Sequence, residues 1–495
     1  MASARSSRWG LATAISATLV AEHEHLKLPR RPSPTTAVMV AYVTGVFMSA
    51  MDLHTVNVAL PTLSRTFGAG VASVQWTVVG YVLSLAVFIP ASGWIGDRVG
   101  TKRTFLFALA TFTVASAICG AAQSLDELIA ARVLQGVGGG LLVPAGTAML
   151  FRAYPPERRA RITRTLLLPI IIAPATAPII GGIFTQDASW RWVFLVNVPI
   201  GVVVFAFCAV TLSEHREHAR RRFDLSGFLL GGGGLALLLY ALSEGSVNGW
   251  LSAPIVVSGL AGLVSLIVFS RYEYRRPDPL LNLRLLHDRL LRSTNLVFAF
   301  TSGAFLGTLY LTPIFLQEVA GYSPISSGTT TFIEAIGVGV ASQSVGRLYP
   351  RLGPRRMAAA GAIVVAGLLA CFQFVDAGTS PWLLRGLMFL LGAANSAPFL
   401  AVQTSMFTTI SPADTGHASA IYNTGRQVSF AMCVALLSAI IAGVGGTRLV
   451  AFHDAYLALL AFALLGGITA FTLIRTRDAA ASMVGAGQSV GQTTL

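Results

Sequence analysis

The chain has 495 residues, 54% of them hydrophobic and only 11% charged, with a mean hydropathy of +0.69. Soluble globular proteins carry about 25% charged residues, so this composition excludes a soluble enzyme or binding module and points to a polytopic membrane protein. The net charge of +14 would suggest nucleic acid in a soluble chain; here the positions of the basic residues decide.

Residues 1–36 hold Arg5 and Arg8 ahead of a mildly apolar WGLATAISATLVA and read as a cytosolic tail, with a cleaved signal peptide as the alternative. Apolar runs of about 20 residues, each able to cross the hydrocarbon at about 1.5 Å per residue, then recur. They fall at 37–60, 74–95, 104–122, 126–151, 165–184, 192–212, 225–243, 252–270, 293–317, 328–346, 357–375, 382–409, 416–442 and 453–474, which predicts an all-α integral membrane protein of fourteen helices. The stretch from Arg477 to Leu495 is small, polar and read as a second cytosolic tail.

Arg65, Arg191 and Arg448 are the basic residues of one set of alternate loops, and Arg132, Arg385 and Arg426 lie inside predicted helices. The rest of the 35 Lys and Arg fall on the side of the termini. That asymmetry is the positive-inside rule and places both termini in the cytoplasm. The basic balance therefore sets topology and attraction to anionic lipid heads, and no nucleic-acid partner is expected. Cys119, Cys208, Cys371 and Cys433 sit in four different apolar runs and read as packing residues, with no metal site.

GWIGDRVGTKR (93–103) joins the second and third helices, and GRLYPRLGPRR (346–356) joins the tenth and eleventh. One offset of 253 relates Gly93 to Gly346, Arg98 to Arg351, Gly100 to Gly353, Lys102 to Arg355 and Arg103 to Arg356. It also carries Arg132 onto Arg385. So many pairs in order argue for internal duplication. The domains follow: a tail (1–36), a six-helix bundle (37–212), two inserted helices with a cytoplasmic linker (213–292), a second six-helix bundle (293–475) and a tail (476–495). Two parallel repeats are a transporter plan, with substrate between the halves near the midplane.

With these motifs in view, the chain resembles the major facilitator superfamily, and within it the fourteen-helix drug:proton antiporters. GWIGDRVGTKR is similar to the superfamily's loop motif A and RVLQGVGGG (132–140) to motif B of the fourth helix. APIIGG (177–182) is similar to the antiporter motif C. MDLHTVNVALP and SWRWVFLVNVPIG resemble patterns of the fourteen-helix branch. The resemblance covers about residues 37–475.

Asp52 and His54 lie in FMSAMDLHTVNVALP (47–61), inside the first span, where an unpartnered charge costs several kcal/mol by most estimates. Gly45, Ser49, Asp52, Thr55 and Ala59 follow three- and four-residue spacing and form one small, polar stripe that faces protein or cavity. By helical rise Asp52 lies about 12 Å, and Arg132 about 9 Å, from the outer ends of their helices, so depth matches them if those helices are neighbours, as the resemblance implies. Burial favours the neutral acid and a guanidinium favours the carboxylate. Asp52 is thus read as the proton carrier coupled to Arg132, against a permanently paired structural carboxylate. His54, where the family usually has Thr, lies about 200° around the helix from Asp52, beside Asn57; tuning of pH response or substrate preference stands against a histidine hydrogen-bonded between helices.

Glu334, expected near the outer end of the tenth helix, resembles an acidic position that assists protons or cationic drugs; the alternative is a carboxylate reaching the interface. Arg426, in GRQVSF, is similar to a family Arg-Gln pair and reads as a packing residue or a ligand contact. Proton coupling is thus assigned to Asp52, Arg132 and Glu334, and substrate contact to Asp52, His54, Asn57, Glu334 and Arg426. Gly93, Asp97, Arg98 and Gly100 of motif A read as a conformational latch in which Asp97 meets a helix amino terminus or a nearby Arg. The second copy has Pro350 in place of Asp97, so only the first half is expected to latch by charge. In motif C, Pro178 bends the fifth helix and Gly181 and Gly182 permit close approach.

No nucleotide or cofactor is implied: Gly96–Arg103 lacks the Gly-Lys-Ser/Thr ending of a phosphate loop, and Gly136–Gly140 lies inside a span. The function expected is proton-driven export of hydrophobic or cationic drugs across a bacterial inner membrane, by alternating access. A dedicated exporter of one metabolite, antibiotic or lipid is the alternative, and a sensor that transports nothing is the second class. An embedded enzyme would need a clustered His, Cys or carboxylate site, which the spans lack.

Overall fold

The computed structural model describes residues 33–153, 176–215, 223–277, 279–406, 408–410, 414–443, 448–475 and 477. Apart from Arg477 the expected C-terminal tail falls outside these residues, and the first helix already begins inside the stretch assigned to the N-terminal one. Among the described residues every regular element is a helix.

Caps, more than hydropathy, set where the helices end. Helix α1 runs Pro34–Phe67, well past its apolar stretch at both ends. Ser33 Oγ accepts from Thr36 N at 3.2 Å, Pro34 takes the first helical position, and Gly68 closes the far end in the left-handed region at φ 60°. Helices α2 (Trp76–Val99), α3 (Thr101–Ala121) and α4 (Leu125–Ala153) follow. The expected span 165–184 is described only as α5, residues 176–183, which run into a π-turn at Phe184–Ala188. The half closes with α6, Trp192–Thr211.

The inserted pair, α7 (Leu225–Asn248) and α8 (Ala253–Arg275), forms a hairpin that packs through α7 against α2 and the later helix Thr415–Gly443. Trp76 Nε1 donates to Glu244 Oε1 at 3.0 Å across that contact. Helix α9 (Arg289–Glu318) starts at an Asp288 cap. The next element, Pro324–Cys371, bends at Gly353 (φ 73°, ψ 167°); α10 and α11 are its parts before and after that residue. Helices α12 (Pro381–Ser405), α13 (Thr415–Gly443) and α14 (Arg448–Leu473) complete the second half.

Twelve helices among the described residues are long and apolar enough to cross a membrane. One of them, Pro324–Phe374, covers two of the expected spans, and the expected fifth is mostly undescribed. The count of fourteen stays an expectation, whereas a multi-pass all-helical membrane protein is what the structure shows.

The offset of 253 relates two turns of like backbone. Gly100 and Gly353, 253 positions apart, both hold positive φ, 108° and 73°. Each ends one helix and starts the next in a turn that a side chain would strain. These turns and their arginines mark one face of the bundle, here the basic face. The end of α14 lies on the same face, where Arg355 sits 4.3 Å from the Phe471 ring.

Burial along the two central helices is lopsided. Residues 51–61 of α1 are buried without interruption, as are residues 307–316 of α9, which packs against α1. Nearer the basic face, Tyr42, Thr44, Ser49 and Ala50 of α1, and Asn295, Leu296 and Ala299 of α9, are partly or fully exposed. The halves meet at the far face, and both central helices are less buried toward the basic face. Gln317 Nε2 donates to Val58 O at 3.0 Å within the closed end.

Candidate functional site

The first half gathers polar groups from five helices around Asp52, which is wholly buried. Arg132 of α4 reaches it with Nη1 2.5 Å from Asp52 Oδ2. The other carboxylate oxygen accepts from Gln135 Nε2 at 2.8 Å and from Asn197 Nδ2 of α6 at 3.1 Å. Arg132 also donates through Nε to Thr77 O of α2 at 2.8 Å and through Nη1 to Gln135 Oε1 at 2.6 Å. Gln135 Nε2 reaches Ser116 Oγ of α3 at 2.6 Å. The guanidinium lies 4.0 Å from the Tyr81 ring centre, and Ser49 Oγ meets Tyr81 Oη at 3.2 Å. One guanidinium nitrogen, Nη2, has no partner.

These contacts follow from helix geometry. Ser49 and Asp52 share the stripe foreseen on α1, and Gln135 lies three residues after Arg132, so both point at α1 from one face of α4. Breaking a buried pair by removing one partner costs about 3–5 kcal/mol, since the other charge is left stranded. Gln135, Asn197, Ser116 and Tyr81 were not singled out from the sequence. Gln135 and Asn197 carried a signal: each is an amide inside an apolar span, in motifs already marked for other residues.

The second half holds Glu334 by itself. Its helix begins at Pro324, so Glu334 is roughly 15 Å of helical rise from that end, deeper than the position near the outer end expected from hydropathy. It is fully buried, and neither carboxylate oxygen has a hydrogen-bond partner, which overturns the reading of a carboxylate reaching the interface. The structure gives it no bond to Asp52 or Arg132.

His54 and Asn57 are buried on the face of α1 turned away from Asp52. His54 Nδ1 and both amide atoms of Asn57 are unpartnered. Arg426 lies on α13, in the other half, and is partly exposed. The helical spacing of the sequence and the structure agree in setting His54 and Asn57 apart from the Asp52 stripe.

At motif A the carboxylate on the α3 amino terminus is Glu214, from the segment after α6. Its oxygens accept from Lys102 N at 3.1 Å and Arg103 N at 3.3 Å. Sequence reasoning had offered Asp97 for that task; the Asp97 side chain lies outside the described residues, and the position at Gly100 is occupied by Glu214. Arg98 lies 5.6 Å from the Trp94 ring centre, and Gly93 borders open space. At motif C a Cβ on Gly181 would fall 2.8 Å from Thr55 O, and one on Gly182 would fall 2.6 Å from Pro324 O of α10. Gly328 of α10 packs on Pro178 in return. Gly182 and Gly328 let backbones of the two halves meet at the closed far face, and Gly181 lets α5 meet α1 within the first half.

The sequence matches the model of the Major Facilitator Superfamily over residues 42–433 and 329–490. The chain belongs to the major facilitator superfamily. It is 31% identical over 403 residues to a Multidrug resistance protein B homolog of Mycobacterium tuberculosis, covering 81% of this chain and 75% of that one. It is 34% identical over 365 residues to a Putative multidrug resistance protein MdtD of Klebsiella pneumoniae, covering 73% and 76%. Among solved structures it shares the fold of a POT family transporter in complex with 5-aminolevulinic acid (TM-score 0.66, 13% identity, 88% of this chain and 96% of that one). It also shares the fold of a bacterial homolog of the human lysosomal transporter Spinster, inward-facing and unoccupied (TM-score 0.59, 14% identity, 93% and 98%). This major facilitator is a transporter of small molecules and not an enzyme.

Proposed function

We propose that this transporter exports hydrophobic drugs and other toxic compounds across a bacterial inner membrane in exchange for protons, by alternating access. The single observation that carries the coupling is the buried Asp52–Arg132 pair, held by groups from five helices at the core of one half. Relatives named for multidrug resistance support the class of cargo.

With the basic face in the cytoplasm, the closed far face faces outward. Asp52 is then a carboxylate, its charge offset by Arg132. A proton arriving on Asp52 from outside removes that charge and frees the guanidinium, so the network that fixes α1 against α4 and α6 loosens. Release of the proton to the cytoplasm restores it. An unpaired carboxylate among apolar helices would cost several kcal/mol, so Glu334 is neutral in this state and is a second place where a proton is carried. One proton moving down about 150 mV supplies roughly 3.5 kcal/mol, enough for about a 300-fold gradient.

Efflux of dyes and drugs into inverted membrane vesicles under an imposed pH gradient tests this. Wild type should accumulate compound only with the gradient, and Asp52→Asn should lose the driven component. Accumulation indifferent to the gradient, or full coupling in the variant, rules the mechanism out.

A further inference from the structure

The inserted hairpin buries two acids at its basic-face end. Asp224 caps α7 and Glu273 lies in the last turn of α8, 4% and 0% exposed. Phe223, next to Asp224, packs on Trp94 of motif A with ring centres 4.8 Å apart. Asp224 Oδ1 accepts from Gly227 N at 3.0 Å and from Tyr272 Oη at 3.1 Å, and Arg276 Nη1 lies 3.4 Å away. Glu273 Oε2 accepts from Leu281 N at 3.1 Å. Leu281 belongs to the linker that leaves α8 and runs through a short turn, Leu283–His287, into α9 of the second half.

The other two oxygens, Asp224 Oδ2 and Glu273 Oε1, receive no donor. They converge over Gly227, where a Cβ would fall 2.6 Å from Asp224 Oδ2 and closer still to Glu273 Oε1. Among the described residues Arg276 is the cation that reaches the pair. Arg284 of the linker donates to Tyr274 O and Arg276 O instead, and His287 lies against the Tyr274 ring. Of the helices packed on α7, α2 brings Arg98, which lies over Trp94, and α13 starts with Asp414 and His417 nearby in the chain. Two carboxylates facing each other away from water, with one guanidinium on one side, cannot both stay ionised. A proton between them removes one charge and gives both bare oxygens a partner.

We propose that Asp224 and Glu273 form a proton-binding site on the basic face, with one proton shared between Asp224 Oδ2 and Glu273 Oε1, and that its loss in alkaline surroundings releases the linker to the second half. Once the proton leaves to solvent, one carboxylate must withdraw. Asp224 is held by Gly227, Tyr272 and Arg276 and Glu273 by Leu281 alone, so Glu273 moves and the Leu281 bond breaks. The site involves neither Asp52 nor Glu334 and does not depend on the export reading.

Hydrogen–deuterium exchange of the full chain in lipid nanodiscs reads the linker directly, with labelling times scaled to the intrinsic rate at each pH. From about pH 5 to pH 9, wild-type peptides covering residues 279–287 should lose protection about tenfold, the scale of one hydrogen bond to a charged group. Glu273→Gln keeps an acceptor for Leu281 N, offers Asp224 Oδ2 an amide donor and has no proton to lose, so it should stay protected throughout. Asp224→Asn, which still caps α7, should do the same. His287→Gln and His417→Gln should keep the wild-type step. Infrared spectra of the wild type should lose the carbonyl stretch of one protonated carboxyl over the same range, a loss missing from Glu273→Gln. Wild-type protection constant within about twofold, or a step that survives in both acid variants or vanishes in either histidine variant, overturns the proposal. Protection that follows added sodium or magnesium at fixed pH overturns it too, since the gap would then hold a metal ion.

Discussion

In the N-terminal half Asp52 is gripped by Arg132, Gln135 and Asn197, whereas in the C-terminal half Glu334 is buried just as completely and gripped by nothing. The offset of 253 shows how the difference arose. It carries Asp52 onto Phe305, Ser116 onto Leu369 and Gln135 onto Met388, so the polar network becomes apolar packing. Arg132 is matched by Arg385, but that residue is only half-buried and lies 5.0 Å from the Trp382 ring centre. The acid of the second half, Glu334, stands where the first half has Tyr81. Close helix contact survives in both copies: Gly136 of α4 lies against Ser84 of α2, and Gly337 of α10 lies against Phe389 of α12, with the glycine on opposite partners. A paired acid cannot change protonation without disturbing its helices; a lone acid can. On the proposed mechanism the first half converts a proton into movement and the second holds one.

The sharpest test is Arg132→Ala, which strands the Asp52 carboxylate in the bundle. It should cost about 3–5 kcal/mol, seen as a large fall in Tm in detergent, and abolish gradient-driven efflux even where ligand still binds. A smaller loss than that of Glu334→Gln would erase the distinction between the halves. Next in size is Gly182→Leu, which wedges the seam between α5 and α10 and should cost about 1–3 kcal/mol in the closed form. With Cys371 replaced, maleimide labelling of a cysteine introduced at Ser64, which lines a small cavity near the closed end, should rise as the far face opens.

Glu334→Gln removes an acid but no hydrogen bond. Its effect on Tm should correspond to less than about 1 kcal/mol, while driven efflux falls if this carboxyl carries a proton. A stability loss matching that of Arg132→Ala would mean Glu334 has a structural partner after all. The smallest effect belongs to Glu214→Gln, which weakens the charge at the α3 amino terminus. A loss of about 0.3–1 kcal/mol is expected, and the gap from wild type should shrink at high salt because Glu214 is partly exposed.

Asp52 and Arg132 could be paired from the sequence because each is intolerable alone at its depth, their depths match, and the resemblance implied that their helices are neighbours. Glu334 was misplaced because hydropathy started its helix at 328, whereas the Ser323 cap and Pro324 start it earlier. The same fault shortened α1, whose last turns carry Ser64, Arg65 and Thr66 and are helical despite their polarity. Ser33, Pro34 and Gly68 were there to be read. Asn197 was visible as a buried amide, but nothing local says that α6 returns to α1. Glu214 gave no local sign, since it follows the last apolar turn of α6 and meets Gly100 only when α6 folds back beside α3.

The sequence by itself determined insertion into a membrane, the duplicated plan and the side that bears the arginines. Those properties depend on the transfer of residues between water and hydrocarbon, which each segment settles largely alone. Only the tertiary structure decided which acid is paired and which is free, and which end is shut. Such outcomes turn on how each helix is rotated about its axis and how closely glycines let backbones meet, and these are set by contacts between residues far apart in the chain.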